Sequence, residues 1–416
     1  MSSPNPFPIT LVNDSGSSKE IYVVVKGIND SISPTKGQQF YQPITKTWSD
    51  SAVSVKLSSL PKSGNNHVLP IPYIDSGIVY LSVGAELSFN GISPPDFSNP
   101  SNASFGTTFD KFEISFKKGD GYPYMDITNV DYFCIPLRFS MKLSDKAGTT
   151  LGPHGFNKTQ SHVFNAFKTG LSSHWSSIIE EDASGNIIRV VAPNKALVEQ
   201  PPKTHNFDAS FFQAYVDKVW SYYAQAGKSV RVDMSEIAPW NPGYQGVVFE
   251  GKVSGGKFVF SPVGSAHQSL AKISFSKPSG SNQIKSSLFG CADLFDAPNH
   301  TPQSIPAKNL GAAFNVGILA DDSLDDVLYL MPSTASKAVS PNGKSWLTYK
   351  PHFYSHTMTG TSGSKIECYN AYSAVIHANA IGSDDYGFAF DDVTESDSTL
   401  SSSTAASATV TIGKFS

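Results

Sequence analysis

One short run of alternating residues, 109–116, limits the fold of this chain more than any other stretch. Apolar side chains alternate there with polar ones, Phe112, Ile114 and Phe116 against Lys111, Glu113 and Ser115. A period of two is typical of a strand with one buried face and one open face. A Gly-containing turn over residues 117–123 follows, and then a second run rich in β-branched and aromatic residues, 124–137. The stretch therefore predicts a β-hairpin whose outer face is polar.

The predicted hairpin brings acidic residues close together. Glu113 lies on the first strand, and Asp126 and Asp131 lie on the second run. We expect Glu113 to lie near one of these two aspartates on the open face. Two carboxylates at a controlled separation are what glycoside hydrolysis requires, because one protonates the leaving oxygen and the other acts on the opposite face of the sugar. Acidic residues on surface strands more commonly serve only solubility, so the pattern alone leaves both interpretations open.

Both the N-terminal and the C-terminal part of the chain contain short runs of alternating apolar and polar residues, separated by turns of Gly, Ser, Asn and Pro. Such spacing favours a β-sandwich or barrel. In the C-terminal part we expect strands at residues 346–354, 374–380, 386–393 and 408–414. The adjacent Asp391 and Asp392 would face opposite ways on a strand, so we interpret them as a turn or an ion-binding element rather than as an acid pair.

The middle of the chain has a different periodicity. Apolar residues recur there at helical spacing, at 161–171, 175–181, 206–226 and 310–319, with strand-like runs at 187–193 and 244–260. We interpret the aromatic stripe of the 206–226 helix as core. Because 416 residues exceed a comfortable single core, we predict two domains. These are a β-sandwich or barrel formed by residues 1–145 and 340–416, and an inserted α/β domain formed by residues 146–339.

Composition excludes several classes of function. Charged residues make up 16% of the chain and nearly cancel, at a net charge of −4, so we expect no nucleic-acid partner. The sequence has no run of about 18 apolar residues, so we expect no membrane span. Cys134, Cys291 and Cys368 are widely spaced without a C-x-x-C pair, which allows at most one disulfide and predicts no zinc site. Motifs such as H-E-x-x-H, G-x-S-x-G and the P-loop are absent from the sequence.

Four segments carry motifs that occur together in one enzyme family. Residues 109–115 fit F-D-x-x-E-(F/I)-(T/S), and residues 128–137 fit (T/S)-x-V-D-(F/Y)-F-x-x-P-L. Residues 211–223 fit F-x-x-x-Y-(V/I)-D-x-V-W-x-x-Y, and residues 377–393 fit the terminal pattern H-A-x-A…D-D-V. In these motifs the chain resembles the glycoside hydrolase family 64 endo-β-1,3-glucanases, the laminaripentaose-producing type. The similarity extends over nearly the whole chain.

The resemblance implies a fold, a reaction and a site. It implies a mainly β, thaumatin-like sandwich or barrel with the inserted α/β domain, and a wide groove between them for β-1,3-glucan. It implies hydrolysis of linear β-1,3-glucan with inversion, in which Glu113 is the general acid and Asp131, not Asp126, is the general base. We expect Ser115 and Thr128 to bind substrate through hydrogen bonds. No metal or organic cofactor is expected.

A second hypothesis stays open at this point. A non-catalytic descendant that binds β-glucan, or a structural protein that uses the same scaffold for self-assembly, would keep the same motifs, because the carboxylates are necessary for hydrolysis but not sufficient. The family implies secretion. The N-terminal residues 1–7, however, lack the basic and apolar segments of a signal peptide, so a place inside the cell is the alternative.

Overall fold

The protein is mainly β. The computed structural model describes residues 6–31, 37–97, 99–196, 207–331, 344–360, 363, 365–396 and 398–416. The strands up to residue 143 are β1 (Phe7–Asn13), β2 (Ile21–Asn29), β3 (Gln39–Gln42), β4 (Thr47–Ser49), β5 (Val55–Lys56), β6 (Lys62–Ser63), β7 (Asn66–Ile71), β8 (Ile74–Val83), β9 (Thr108–Phe116), β10 (Pro123–Ile127), β11 (Tyr132–Phe133) and β12 (Leu137–Leu143).

Helices occur only after residue 143 among the described residues, apart from a 3₁₀ turn at Leu57–Ser59. The later strands are β13 (Thr150–Gly155), β14 (Ile179–Glu181), β15 (Ile187–Val191), β16 (Ser229–Asp233), β17 (Val248–Ser254), β18 (Lys257–Pro262), β19 (Ile273–Ser276), β20 (Val327–Tyr329), β21 (Thr357–Thr359), β22 (Lys365–Glu367), β23 (Leu400–Ser401) and β24 (Ala405–Ile412). The α-helices are α1 (Gln160–Gly170), α2 (Gln213–Tyr222), α3 (Gly280–Ile284), α4 (Ser304–Val316) and α5 (Ala371–Asn379).

Two sheets enclose the first apolar core. One has the strand order β13-β12-β24-β1-β7-β6, and the other has the order β23-β10-β9-β8-β2-β3-β4 with β5 paired to β2. The C-terminal strand β24 lies between β1, to which it is parallel, and β12, to which it is antiparallel. Inward-facing residues of both sheets, such as Ile9, Phe112 and Val410, pack together in this core. The N-terminal and C-terminal strands therefore belong to the same pair of sheets around one core.

A second core lies among the helices and the five-stranded sheet β19-β18-β17-β16-β20. The aromatic stripe of α2 belongs to it, since Tyr215 and Trp220 are buried against Phe314 of α4. Each such side chain contributes about 1.5–3 kcal/mol by leaving water. The interpretation of this stripe as core is confirmed.

Three of the predicted C-terminal strands are wrong. Residues 374–380 lie in helix α5, where the side chain of Asn370 caps the first turn by accepting a hydrogen bond from the Ser373 amide at 3.2 Å. Residues 346–354 begin with a 3₁₀ helix, Trp346–His352, whose first turn is capped by the Ser345 hydroxyl, which accepts a hydrogen bond of 3.2 Å from the Leu347 amide. Residues 386–393 form a tight loop followed by a 3₁₀ turn, Asp391–Thr394. Only the last of the four predicted strands forms, as β24.

Elsewhere the helical interpretation failed at one place. Residues 175–181 form a 3₁₀ turn, Ser176–Ile178, followed by strand β14, which pairs with β15. Trp175 and Ile178 are buried in the second core, so their three-residue spacing satisfies a 3₁₀ turn as well as an α-helix.

The residues of the two cores bear on the position of the second domain boundary. Residues 346–388, which we assigned to the first domain, supply Trp346, Tyr372 and Phe388 to the second core. The first core resumes only at Leu400. We propose that the second boundary lies between residues 388 and 400 rather than at 340. The two-domain division and the thaumatin-like character of the sheets stay predictions.

The cysteines and the lengths of the helices test two further expectations. The three cysteines are free and buried, so the structure contains no disulfide between them. No helix in the described part of the chain is long and apolar enough to cross a membrane.

Candidate active site

Strand β9 places the acidic residue at the centre of the site. It lies between β8 and β10, where Glu113 stands opposite Ile78 on one side and Asp126 on the other. Phe112 and Ile114 point into the core, so the intervening Glu113 faces outward, as the alternation predicts. Gly77 permits this close pairing, because a Cβ there would lie 2.5 Å from the carbonyl oxygen of Ile114.

A cleft of about 300 Å³ opens over this face of the sheet. Its lining comes from three segments that are distant in sequence: Glu113, Asp126, Thr128, Val130, Tyr386, Asp392 and Thr399. Burial is the main cause that raises the pKa of Glu113, and the nearby charge of Asp131 adds to it, whereas Lys111 opposes it. The carboxyl group of Glu113 is therefore biased toward its protonated form, which can donate a proton.

Asp131 lies beside the cleft and is held by two lysines. One carboxylate oxygen accepts a hydrogen bond from the ammonium of the buried Lys111, and the other lies 3.2 Å from the ammonium of the exposed Lys195. Burial tends to raise the pKa of Asp131, but these two positive charges outweigh it and lower the pKa to about 2. Asp131 is therefore ionised at any ordinary working pH.

The neighbouring carboxyl groups of Glu113 and Asp131 thus have pKa values shifted in opposite directions. Such a pair supplies one proton donor and one proton acceptor at the same pH. Asp126, which stands directly across from Glu113, is the third carboxylate of the cleft.

A buried aspartate holds the segment that carries Asp131. Asp110 is 2% exposed, and one of its carboxylate oxygens accepts hydrogen bonds of 2.8 Å from the amides of Cys134 and Ile135. Burial raises the pKa of Asp110 to about 6 against the effect of these hydrogen bonds. The Asp of the F-D-x-x-E motif therefore fixes the chain just after Asp131 to strand β9.

Replacing Lys111 by Met tests the electrostatic part of this site. We expect the pKa of Asp131 to rise from about 2, because its buried positive neighbour is gone. The carboxylate of Asp131 stabilises the fold above its unfolded pKa of about 3.9, and this contribution is lost as the pH falls toward about 2. We therefore also expect the free energy of unfolding at neutral pH to fall by about 1–3 kcal/mol.

The measurements are a ¹³C NMR titration of the Asp131 carboxyl and urea unfolding. Lys195→Met is the matched control and should give smaller effects, because the Lys195 side chain is 47% exposed and that of Lys111 only 5%. An unchanged titration of Asp131 in Lys111→Met would contradict the assignment.

The loop that contributes Tyr386 and Asp392 to the cleft is held in place by buried hydrogen bonds. Asp391 is fully buried; it accepts a hydrogen bond of 2.7 Å from Nε2 of His377 and one of 2.9 Å from the amide of Gly387. Burial opposes the charged imidazole, but Asp391 outweighs it and raises the pKa of His377 to about 9. Asp392, the next residue, is exposed in the cleft. The aspartate pair is thus part of a 3₁₀ turn in which one member anchors the loop and the other faces the site.

A second cavity is adjacent to the cleft. It has a volume of about 310 Å³ and is lined by residues of the α/β part and of the same loop: Asp233, Glu236, Lys308, Asn309, Leu330, Met331, Asp392, Val393 and Glu395. Asp392 lines both spaces, so they lie side by side at this residue. We call the two adjacent spaces the groove; their lining extends from β9 to the carboxyl ends of β16 and β20.

The two predicted hydrogen-bonding residues occupy different places. Thr128 lines the cleft, and its backbone bridges to Tyr386. Ser115 lies on the same face as Glu113, but its hydroxyl accepts a hydrogen bond of 3.1 Å from the amide of Ser76 and does not line the cleft. Their roles in substrate binding stay predictions.

Sequence reasoning missed several residues of the site. The alternation in β9 places Lys111 on the same face as Glu113. Its pairing with Asp131, however, depends on the turn before Asp131, whose geometry only the fold supplies. Lys195, Tyr386 and the anchoring His377 come from distant segments; His377 and Tyr386 lie within the terminal motif of residues 377–393, whereas Lys195 lies outside the noted motifs. Among the described residues, no group of three or more His, Cys, Asp or Glu is arranged to hold a metal ion.

Comparison with known proteins assigns a family. The sequence profile of glycoside hydrolase family 64, described as beta-1,3-glucanase, matches residues 5–412. A sequence search among curated proteins found no match.

Solved structures give the same result for the fold. The chain is similar to a laminaripentaose-producing beta-1,3-glucanase in complex with laminaritetraose, with 24% identity, a TM-score of 0.71 and coverage of 99% of this chain and 100% of the other. It is also similar to a family 64 beta-1,3-glucanase domain from Clostridium beijerinckii, with 19% identity, a TM-score of 0.63 and 98% of each chain covered. With the profile match over nearly its whole length, the chain belongs to the beta-1,3-glucanases of glycoside hydrolase family 64.

Proposed function

We propose that this protein is an endo-β-1,3-glucanase that cleaves linear β-1,3-glucan with inversion, using Glu113 as general acid and Asp131 as general base. One observation carries the assignment of roles. The two neighbouring carboxyl groups have oppositely shifted pKa values, raised at Glu113 and lowered to about 2 at Asp131. An inverting glycosidase needs one carboxyl group protonated and the other ionised.

The reaction follows from these two protonation states. Glu113 donates its proton to the glycosidic oxygen as the bond to C1 breaks. Asp131 takes a proton from a water molecule, and the oxygen of that water bonds to C1 from the opposite face of the sugar. Lys111 keeps Asp131 ionised and in place through their hydrogen bond. Lys195 is half exposed, so its ammonium can move aside to leave one carboxylate oxygen for the water.

The groove supports a polymeric substrate and internal cleavage. The catalytic cleft and the second cavity are adjacent at Asp392, so a chain that passes the carboxyl groups has a second cavity beside it, lined by the α/β part. The similar glucanase in complex with laminaritetraose supports β-1,3-glucan as the polysaccharide. Thr128, in the wall of the cleft, is the residue that we propose to hydrogen-bond the glucan there.

The direct test is hydrolysis of a linear β-1,3-glucan by the purified protein. We expect reducing ends to appear while the viscosity of the solution falls early, because internal cleavage shortens long chains first. A linear β-1,4-glucan is the control substrate and should stay intact. A protein that binds β-1,3-glucan without releasing reducing ends would support the non-catalytic hypothesis instead. Secretion, which the family implies, stays a prediction.

A further inference from the structure

Trp240 has an unusual environment for an exposed aromatic residue. It is 58% exposed, more than any other large hydrophobic residue in the described part of the chain. Its ring stacks on the imidazole of His300, with 3.7 Å between ring centroids and 24° between the planes. Single exposed apolar residues are common and need no explanation. A tryptophan ring held flat by a second ring, however, presents a fixed apolar surface to solvent.

The position of this pair relates it to the groove. β16 and β20 are parallel neighbours, and residues at their carboxyl ends, Asp233 and Met331, line the second cavity. The loop that leaves β16 continues through Glu236 to Trp240. This loop therefore leaves the sheet at the edge that contributes Asp233 and Met331 to the second cavity.

A second contact ties the same two segments together nearer the cavity. Glu236 forms an ion pair with Lys308 of α4, and both residues line the second cavity. His300 lies in the segment that leads into α4. The stacked pair of Trp240 and His300 therefore connects the same two segments as the ion pair of Glu236 and Lys308, which lines the second cavity.

We propose that Trp240 and His300 form a sugar-stacking subsite that binds a glucosyl unit of the polysaccharide away from the cleaved bond. The carbon–hydrogen face of a pyranose ring packs on an aromatic ring, and hydrophobic and aromatic walls are the usual lining of ligand sites. His300 covers one face of the Trp240 ring and leaves the other open. Because the ring is already ordered, binding costs little side-chain entropy.

The subsite rests on the proposed function, since its occupant is the glucan that the groove holds. It adds a consequence for chain length. Oligosaccharides that fill only the cleft at Glu113 do not reach Trp240, whereas polymers do. The pair therefore favours long chains over short ones.

The test uses binding rather than activity. In the Glu113→Gln protein, we expect Trp240→Ala to raise the Kd for soluble laminarin, a β-1,3-glucan polymer, by about tenfold, which is typical for truncating an aromatic anchor. The Kd for laminaritriose should stay unchanged, and Trp240→Phe should retain most of the affinity for the polymer. Ile44→Ala is the control, because Ile44 is 49% exposed and lies in the β3–β4 hairpin at the opposite edge of the sheet from β10.

The outcomes separate this inference from the proposed function. Equal laminarin affinity with and without Trp240 would overturn the subsite, and so would an equal loss of laminaritriose affinity. If the unmodified chain hydrolyses no glucan but laminarin binding still depends on Trp240, the proposed function fails and the subsite stands. Failure of the Glu113→Gln protein to bind laminarin would overturn both.

Discussion

The Glu113→Gln variant is expected to lose a hundredfold or more of the turnover on linear β-1,3-glucan. An amide cannot donate the proton that the glycosidic oxygen needs, and general acid catalysis contributes about 10²–10⁴ in rate. Glucan affinity should change little, because Gln keeps the size and polarity of the side chain. Reducing-end assays give kcat, and isothermal titration of laminarin gives the affinity.

Asp126→Asn is the matched control for this variant. Asp126 stands directly across from Glu113 and lines the same cleft, so it is the comparable carboxylate on the neighbouring strand. We expect it to cost far less turnover, because Asp131, which Lys111 and Lys195 keep ionised, is the proposed base. Full activity of Glu113→Gln together with a large loss in Asp126→Asn would show that Asp126, and not Glu113, is the general acid.

The Asp131→Ala variant is expected to lose turnover to a similar extent, a hundredfold or more, because no group is left to take the proton from the attacking water. Sodium azide should restore cleavage, since azide is a nucleophile that needs no base. The space left by the carboxylate lies beside Lys111 and Lys195, whose charges attract a small anion. Azide attacks C1 from the side opposite the leaving oxygen, which takes its proton from Glu113. The product should therefore be an α-glycosyl azide.

Folding must be checked in this variant, because Lys111 loses its buried partner. Thermal unfolding and laminarin affinity serve that purpose. A folded, glucan-binding Asp131→Ala protein with unchanged turnover would remove Asp131 from the mechanism, whereas azide rescue in Asp126→Ala would point to Asp126 as the base.

The outward direction of Glu113 was accessible from the sequence because it depends on local geometry. The period of two in β9 determines which side chains face outward, and a one-residue shift would have buried Glu113. The pairing of Glu113 with Asp126 follows from the short turn between β9 and β10. Burial raises the pKa of Glu113, and Lys111 and Lys195 together lower the pKa of Asp131 against its own burial; the burial and the approach of Lys195 are revealed by no local pattern.

The three wrong strand predictions in the C-terminal part have a common physical cause. Short apolar runs fit a strand and a helix almost equally well, and the difference depends on capping and on the surrounding core. Asn370 stood at the position of a helix cap before residues 371–379, and that signal outweighs the apparent alternation. The loop over residues 385–394 is held by His377 and Asp391, a pairing between separate segments that requires the fold itself.

The most direct test of the central claim, inversion by Glu113 and Asp131, is the anomeric configuration of the first product. The same hydrolysis of linear β-1,3-glucan is followed by ¹H NMR from the first minutes, before mutarotation mixes the anomers. Attack by a water molecule activated by Asp131 predicts that the new reducing end appears first as the α-anomer. Appearance of the β-anomer first would show retention through a covalent intermediate and would contradict the roles assigned to both carboxyl groups.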